Sequence, residues 1–372
     1  MKKTKTKAKM GQVDFVLFAT IMILVALGIV MVYSASSYTA LHSKAYKNDD
    51  MYFLKKQGGA AIIGLIAMVF AVKFDYHKIK NKTPLIMVIT VILLLAVFAF
   101  PENKGARRWI SIPGLPSIQP SEIAKYTVVL YMAKSISGKG EKIKTFKYGV
   151  MPYLLVSGFY AGLVLAEKNL SIASVIMIVT LIILFASGCK KSHIAFVMSL
   201  VGTAGIAATV LVPYRMKRLM SFLNPWADPK KDGYQLIQSL LALGSGGILG
   251  TGLGKSRQKC YYIPEPHNDF IFSIIGEELG FIGCILVILL FLIFIWRGIR
   301  TAIKAKDVYG TILAIGITGV VSVQAIINIA VVTGSMPVTG VPLPFISYGG
   351  SSLLFNLIAM GILLNISRQT AA

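Results

Sequence analysis

Apolar runs close to 20 residues long recur along the whole chain, from residue 13 to residue 366. A helix that crosses the ~30 Å hydrocarbon core of a bilayer needs about that length. In lipid the backbone must satisfy its own hydrogen bonds, which favours helices. About ten segments reach or approach the length: 13–34, 58–73, 84–100, 120–134, 150–166, 170–188, 192–212, 269–296, 308–333 and 342–366. The expected fold is therefore an all-α polytopic membrane protein with about ten transmembrane helices. Composition agrees, with 55% hydrophobic and 14% charged residues among 372; soluble domains carry about 25% charged residues. The segments 58–73, 120–134 and 150–166 are short and are expected to tilt or extend into loops. The run from Val13 to Tyr33 has no clear small-residue cleavage site and reads as a retained first helix. The chain divides into a basic tail, 1–12, and one membrane domain, 13–372.

The net charge of +23 raises the question of nucleic acid. Its distribution argues against that partner, because no basic face with interleaved aromatics appears. Lys2, Lys3, Lys5, Lys7 and Lys9 precede the first apolar run, and later clusters fall between alternate runs. This is the positive-inside pattern, and it also attracts anionic headgroups. It places the N- and C-termini in the cytoplasm. Half of the basic residues left on the outer side lie in one long segment, 213–268, which the rule weights little. Cys189, Cys260 and Cys284 are scattered over inside, outside and membrane, with neither disulfide nor metal spacing.

The segment 213–268, about 56 residues, exceeds ordinary loop length, and such loops are usually functional or disordered. Phe222, Trp226, Tyr234, Leu236, Ile237, Leu240 and Leu241 argue for order, and 234–243 has helical spacing. A run of glycines from Gly244 to Gly254 then calls for an irregular, close-packed backbone. The segment is expected to be a long structured extracellular loop, with an amphipathic element folded back onto the bundle.

Ionisable groups at membrane depth are costly and usually face a cavity. Glu122, Asp269, Glu277, Glu278 and Lys125 stand out. Glu122 and Lys125, three apart after Pro120, share a helix face and form either a neutralising pair or a pair lining a cavity. Asp269, at the change from polar loop to apolar helix, reads as an N-cap, as a general base with a raised pKa, or as a ligand of a divalent cation. At least one of Glu277 and Glu278 must point inward, towards Lys125 or another buried partner. Arg107 and Arg108, then Arg215, Lys217 and Arg218, then Lys255, Arg257 and Lys259 form outer basic clusters, either solvated or binding phosphate. Gly340–Ser352 holds Pro342, Pro344, Gly349 and Gly350, so the last segment is expected to be broken, as in transporters. Gln324 and Asn328 share a face suited to interhelical hydrogen bonds.

Taken in order, several stretches resemble one family. They are Met31–Ser37, Gly105-Ala106-Arg107-Arg108-Trp109-Ile110, Gln119-Pro120-Ser121-Glu122, Phe222-Leu223-Asn224-Pro225-Trp226, Gly233–Ser239, His267-Asn268-Asp269-Phe270-Ile271-Phe272 and Pro344–Ser352. The set resembles the SEDS family (shape, elongation, division and sporulation). Tyr33–Ser37 and Lys259–Glu265 look more like its FtsW/SpoVE branch than like RodA. Where the family commonly has Pro-Asp-Leu-Gly-Thr, this chain has Glu167-Lys168-Asn169-Leu170-Ser171, so no role is carried over to that loop.

The resemblance implies an inverting peptidoglycan glycosyltransferase that polymerises lipid II at the outer face of a bacterial cytoplasmic membrane, during division or sporulation. It implies a class B penicillin-binding protein as partner, alongside other divisome or sporulation membrane proteins. The family's essential aspartate falls on Asp269, with divalent Mg or Mn as a candidate cofactor held there, and its Glu–Lys pair on Glu122 and Lys125. Candidates for holding substrate or its pyrophosphate are Arg107, Arg108, Arg215, Lys217, Gln235, Ser239, His267 and Ser351. The competing functions are a lipid II flippase and a non-enzymatic scaffold for the transpeptidase.

Overall fold

A computed structural model describes residues 11–102, 105–112, 116–211, 213–231 and 233–370. Among the described residues the chain is helical and has no strand, only an isolated antiparallel bridge between Ile110 and Ile118. Ten helices stand at the ten predicted segments: α1 (Phe15–Leu41), α2 (Tyr52–Lys73), α3 (Tyr76–Ala96), α4 (Pro120–Ile136), α5 (Met151–Ala166), α6 (Leu170–Ala186), α7 (Lys191–Val210), α10 (Ile271–Ile303), α11 (Val308–Val332) and α12 (Gly350–Thr370). Two more, α8 (Pro213–Leu223) and α9 (Tyr234–Ser245), lie within the long loop. Seven of the helical segments are long and apolar enough to cross a membrane, and α6 and α7 are shorter apolar helices. The chain is a multi-pass helical membrane protein.

Local sequence explains the boundaries. Pro120 opens α4, where a missing N–H costs nothing. The Asp14, Asp75, Asn169 and Asp307 side chains each accept a backbone N–H in the first turn of α1, α3, α6 and α11. The predicted helix at 342–366 is shortened: α12 begins only at Gly350, because Pro342 and Pro344 supply no N–H to a ladder. The predicted helix at 269–296 instead runs to Ile303, with a break at Gly280 (φ 69°, ψ −166°).

Helix α11 is the most enclosed, packed by α4, α6, α10 and α12, while α12 lies along α2 and α1 along α10. The two ends of the bundle differ. At one, Asp14 bonds Arg297 and Ser367, Asn365 bonds the Val72 carbonyl, and Gln369 bonds Asp75. The first and last described residues lie at this end, where Arg368 bonds the Gly11 carbonyl. At the other, Gln57 bonds the Ser347 carbonyl, Gln119 bonds Ser351, and Tyr348 N–H bonds the His267 carbonyl. The long loop packs at this second end, where α9 buries Leu236, Ile237 and Ala242 against α10 and α11.

Candidate functional site

The site forms where the long loop meets the start of α10. That helix begins at Ile271 with Phe270 as its cap residue and no side-chain capping bond, so Asp269 is not its N-cap. Asp269 is held through its backbone. Asn328 of α11 donates one amide to the Asp269 carbonyl (2.7 Å) and to the Val341 carbonyl (2.8 Å). A single amide thus ties the start of α10 to the irregular strand of chain before α12. Ser347 Oγ adds a bond to the Asn268 carbonyl (2.7 Å).

Asp269 faces a cavity of about 380 Å³, lined also by Arg218 of α8, Gln235 of α9, Glu265, Thr339 and Gly340. Gly340 leaves room there: a Cβ at that position would stand 3.2 Å from Asp269 Oδ2, a tight contact. Arg218 Nη1 donates to the Val338 carbonyl (3.0 Å), which fixes the guanidinium at the cavity wall. Thr339 Oγ1 is buried with no hydrogen-bond partner among the described residues. An unsatisfied buried hydroxyl beside a cavity is free to bond a bound molecule. Two carboxylates, one guanidinium, the two amides of Gln235 and Asn268, and one hydroxyl therefore converge on one space. Among the described residues no group of three His, Cys, Asp or Glu forms a closed metal cage. Two carboxylates on one cavity still suit the way Mg²⁺ is commonly held, by one or two carboxylates plus substrate phosphates.

Of the residues singled out in the sequence, the cavity brings together Asp269, Gln235 and Arg218, and no other stands among its described lining. His267 is buried one step away, its ring 4.2 Å from Phe53 and 5.5 Å from Tyr348. Ser239 bonds Ser273 and the Val332 carbonyl, and Ser351 bonds the Ser117 carbonyl, so both are committed to packing. Arg107 bonds the Phe98 carbonyl just beyond α3, and Arg108 bonds the Glu167 and Lys168 carbonyls at the α5–α6 turn. Lys217 is exposed on α8, and the Arg215 side chain lies outside the described residues. Glu265 was not singled out, and the sequence left open which member of the basic cluster Arg215, Lys217 and Arg218 turns inward. The signal was the strong amphipathicity of α8, which turns Arg218 rather than Lys217 inward.

Glu122 and Lys125 do pair, at 2.8 Å with both side chains buried, and Lys125 also donates to Gln324 Oε1 (2.8 Å). Glu277 and Glu278 are both buried but do not reach Lys125. Glu277 accepts from the Arg257 N–H (2.8 Å) and from Ser256 Oγ; Glu278 accepts from Ser34 Oγ (2.6 Å) and Lys259 Nζ (2.9 Å). Lys259 is therefore a buried partner and not part of a solvated outer cluster.

Residues 14–372 match the profile of the FtsW/RodA/SpoVE family, described as cell cycle proteins. The chain is 44% identical to a probable peptidoglycan glycosyltransferase FtsW of Geobacter sp. (strain M18), over 96% of this chain and 97% of that one. It is also 44% identical to stage V sporulation protein E of Bacillus subtilis (strain 168), with the same coverage. Its fold matches a chain from a peptidoglycan synthase complex with a TM-score of 0.79 at 26% identity, over 96% of this chain and 98% of that one. It matches the crystal structure of the Thermus thermophilus rod shape determining protein RodA with a TM-score of 0.71 at 26% identity, over 97% and 98%. Sequence and fold agree along nearly the full length, and the chain belongs to the FtsW/RodA/SpoVE family.

Proposed function

We propose that this chain is a peptidoglycan glycosyltransferase that polymerises lipid II at the outer face of a bacterial cytoplasmic membrane. The observation that carries the reading is the cavity at the end of the bundle opposite the start of α1 and the end of α12, where Asp269 stands with Arg218, Gln235 and Glu265. With the termini in the cytoplasm, as the basic loops require, that cavity opens on the outer side.

In the reaction, the 4-hydroxyl of one sugar attacks C1 of another. The new C1–O bond forms as the bond from C1 to undecaprenyl pyrophosphate breaks, with inversion at C1. Asp269 takes the hydroxyl proton, a role open to a carboxylate within hydrogen-bond reach. Arg218 stabilises the negative charge that grows on the departing pyrophosphate. Asp269 and Glu265 would hold a divalent cation, Mg or Mn, which supplies further positive charge to that leaving group. Gln235 and Thr339 orient the sugars by hydrogen bonds. The buried Glu122–Lys125–Gln324 group supports α4 against α11 and is a supporting pair rather than a reacting one. The partner that cross-links the product is a class B penicillin-binding protein, together with other division or sporulation proteins.

Purified chain in vesicles with labelled lipid II, with and without such a partner, tests the reading. Glycan polymer without transfer of lipid II across the bilayer supports it. Transfer without polymer identifies a flippase, and neither activity identifies a scaffold.

A further inference from the structure

At the end of the bundle opposite the Asp269 cavity lies a second cavity of about 310 Å³, between the start of α1 and the ends of α10 and α12. Its walls include Asp14, Phe15, Arg297, Arg300, Thr301 and Lys304. Asp14 is already neutralised, because Arg297 Nε bonds both its oxygens (2.8 and 3.1 Å). Arg300 and Lys304 are exposed, and among the described residues no carboxylate pairs with either. Two positive charges therefore remain at the cavity. The C-terminal end of α10 favours cations by the direction of its dipole.

The surroundings of these charges are apolar. Trp296, Arg300 and Lys304 recur every four residues and share one face of α10. The Trp296 indole is exposed, as are Ile299 and Ile303, and Phe15 projects from α1 with 74% of its surface exposed. An indole one turn below an arginine, on a lipid-facing helix, marks the headgroup level. A free inorganic anion would use Arg300 and Lys304 but gain nothing from Phe15, Ile299 and Ile303. A molecule with a phosphodiester and an acyl chain uses both.

We propose that this cavity is a binding site for an anionic glycerophospholipid, its phosphodiester held by Arg300 and Lys304 and its acyl chain laid along Phe15, Trp296, Ile299 and Ile303. The site lies at the opposite end from the Asp269 cavity, so it is distinct from the site of sugar transfer.

Trp296 is a built-in reporter. The full chain carrying Trp109→Phe and Trp226→Phe keeps it as the only tryptophan. Quenching of this indole by brominated phosphatidylglycerol, against brominated phosphatidylcholine, reads the occupancy in vesicles of mixed composition. The expected result is several-fold selectivity for the anionic lipid, falling about fivefold with each of Arg300→Gln and Lys304→Gln. Lys78→Gln with Lys82→Gln, at the same end but on α3, should leave it unchanged, and millimolar inorganic phosphate should not compete. Equal quenching by both lipids overturns the proposal. So does an equal loss from the α3 substitutions, which would mean diffuse surface charge, and so does full displacement by phosphate, which would mean a free-anion site.

Discussion

Lys259 Nζ lies 2.9 Å from Glu278 Oε1, and both residues are buried. The pair joins the last part of the long loop to α10 just before its break at Gly280. Ser34 of α1 donates to the same carboxylate, so three separate parts of the chain meet on one charge. The neighbouring Glu277 carboxylate accepts the Arg257 and Gln258 N–H groups. The loop reaches the cavity through Pro264 and Glu265, a few residues beyond this anchor.

Breaking one side of a buried ion pair leaves the other charge stranded, at a cost of about 3–5 kcal/mol. Lys259→Met alone should therefore lower the thermal midpoint strongly. The double variant Lys259→Met/Glu278→Gln, which buries no net charge, should recover part of the loss. Midpoints of purified protein measure this. A single variant as stable as the wild type would show that the pair carries no structural weight.

Gly280 adopts a positive φ, and a Cβ there would overlap the Gly250 N–H and the Ile248 carbonyl. The break lets Phe281 and Ile282 donate to the Gly247 and Ile248 carbonyls, while Thr251 and Gly252 donate back to Glu277 and Glu278. Gly280→Ala should cost about 1–3 kcal/mol of strain and overlap. Amide exchange should accelerate over 246–252, and unchanged protection there would contradict this interlock.

Much of this was legible from sequence. The ten apolar runs set the ten helices, and the i,i+3 spacing of Glu122 and Lys125 set their pairing. The loop glycines announced close packing, which the approach of Gly250 to Glu278 explains. Other features were not legible because they depend on what lies opposite in space. A helix cap was one of three readings of Asp269, but the helix starts two residues later and the amide of Asn328 holds the turn. Lys259 looked solvated until Glu278 met it. Arg218 and Lys217 are adjacent in sequence, and only the orientation of α8 separates the one that lines the cavity from the one that faces out.

Glu167 is buried at the α5–α6 turn, and neither carboxylate oxygen has a hydrogen-bond partner among the described residues. Burial pushes its carboxyl up to about 8, against the pull of the Arg108 guanidinium. In the unfolded chain it titrates near 4.5. Between these values the folded state binds the extra proton, so stability falls as pH rises from 5 to 8. Glu167→Gln should flatten that slope and raise the midpoint at pH 8. Identical slopes for wild type and variant would contradict the assignment.

Arg218 is the cation fixed at the wall of the Asp269 cavity. Arg218→Gln should raise the KM for lipid II by about 10-fold or more, since hydrogen bonds to charged groups are worth about 1.5–3 kcal/mol. Lys217→Gln, on the exposed side of the same helix, should leave KM within twofold, the small effect usual for surface changes. Steady-state polymerisation at varied lipid II measures both. Equal effects from the two substitutions would remove Arg218 from the site.

The most direct measurement is glycan polymerisation by purified Asp269→Asn protein with its transpeptidase partner. Removing a general base should slow the reaction by about 10²–10⁴-fold. The thermal midpoint should hold, because the Asp269 backbone bond to Asn328 does not depend on the side chain. Polymer formed by a stable Asp269→Asn variant at close to the wild-type rate would contradict the central claim.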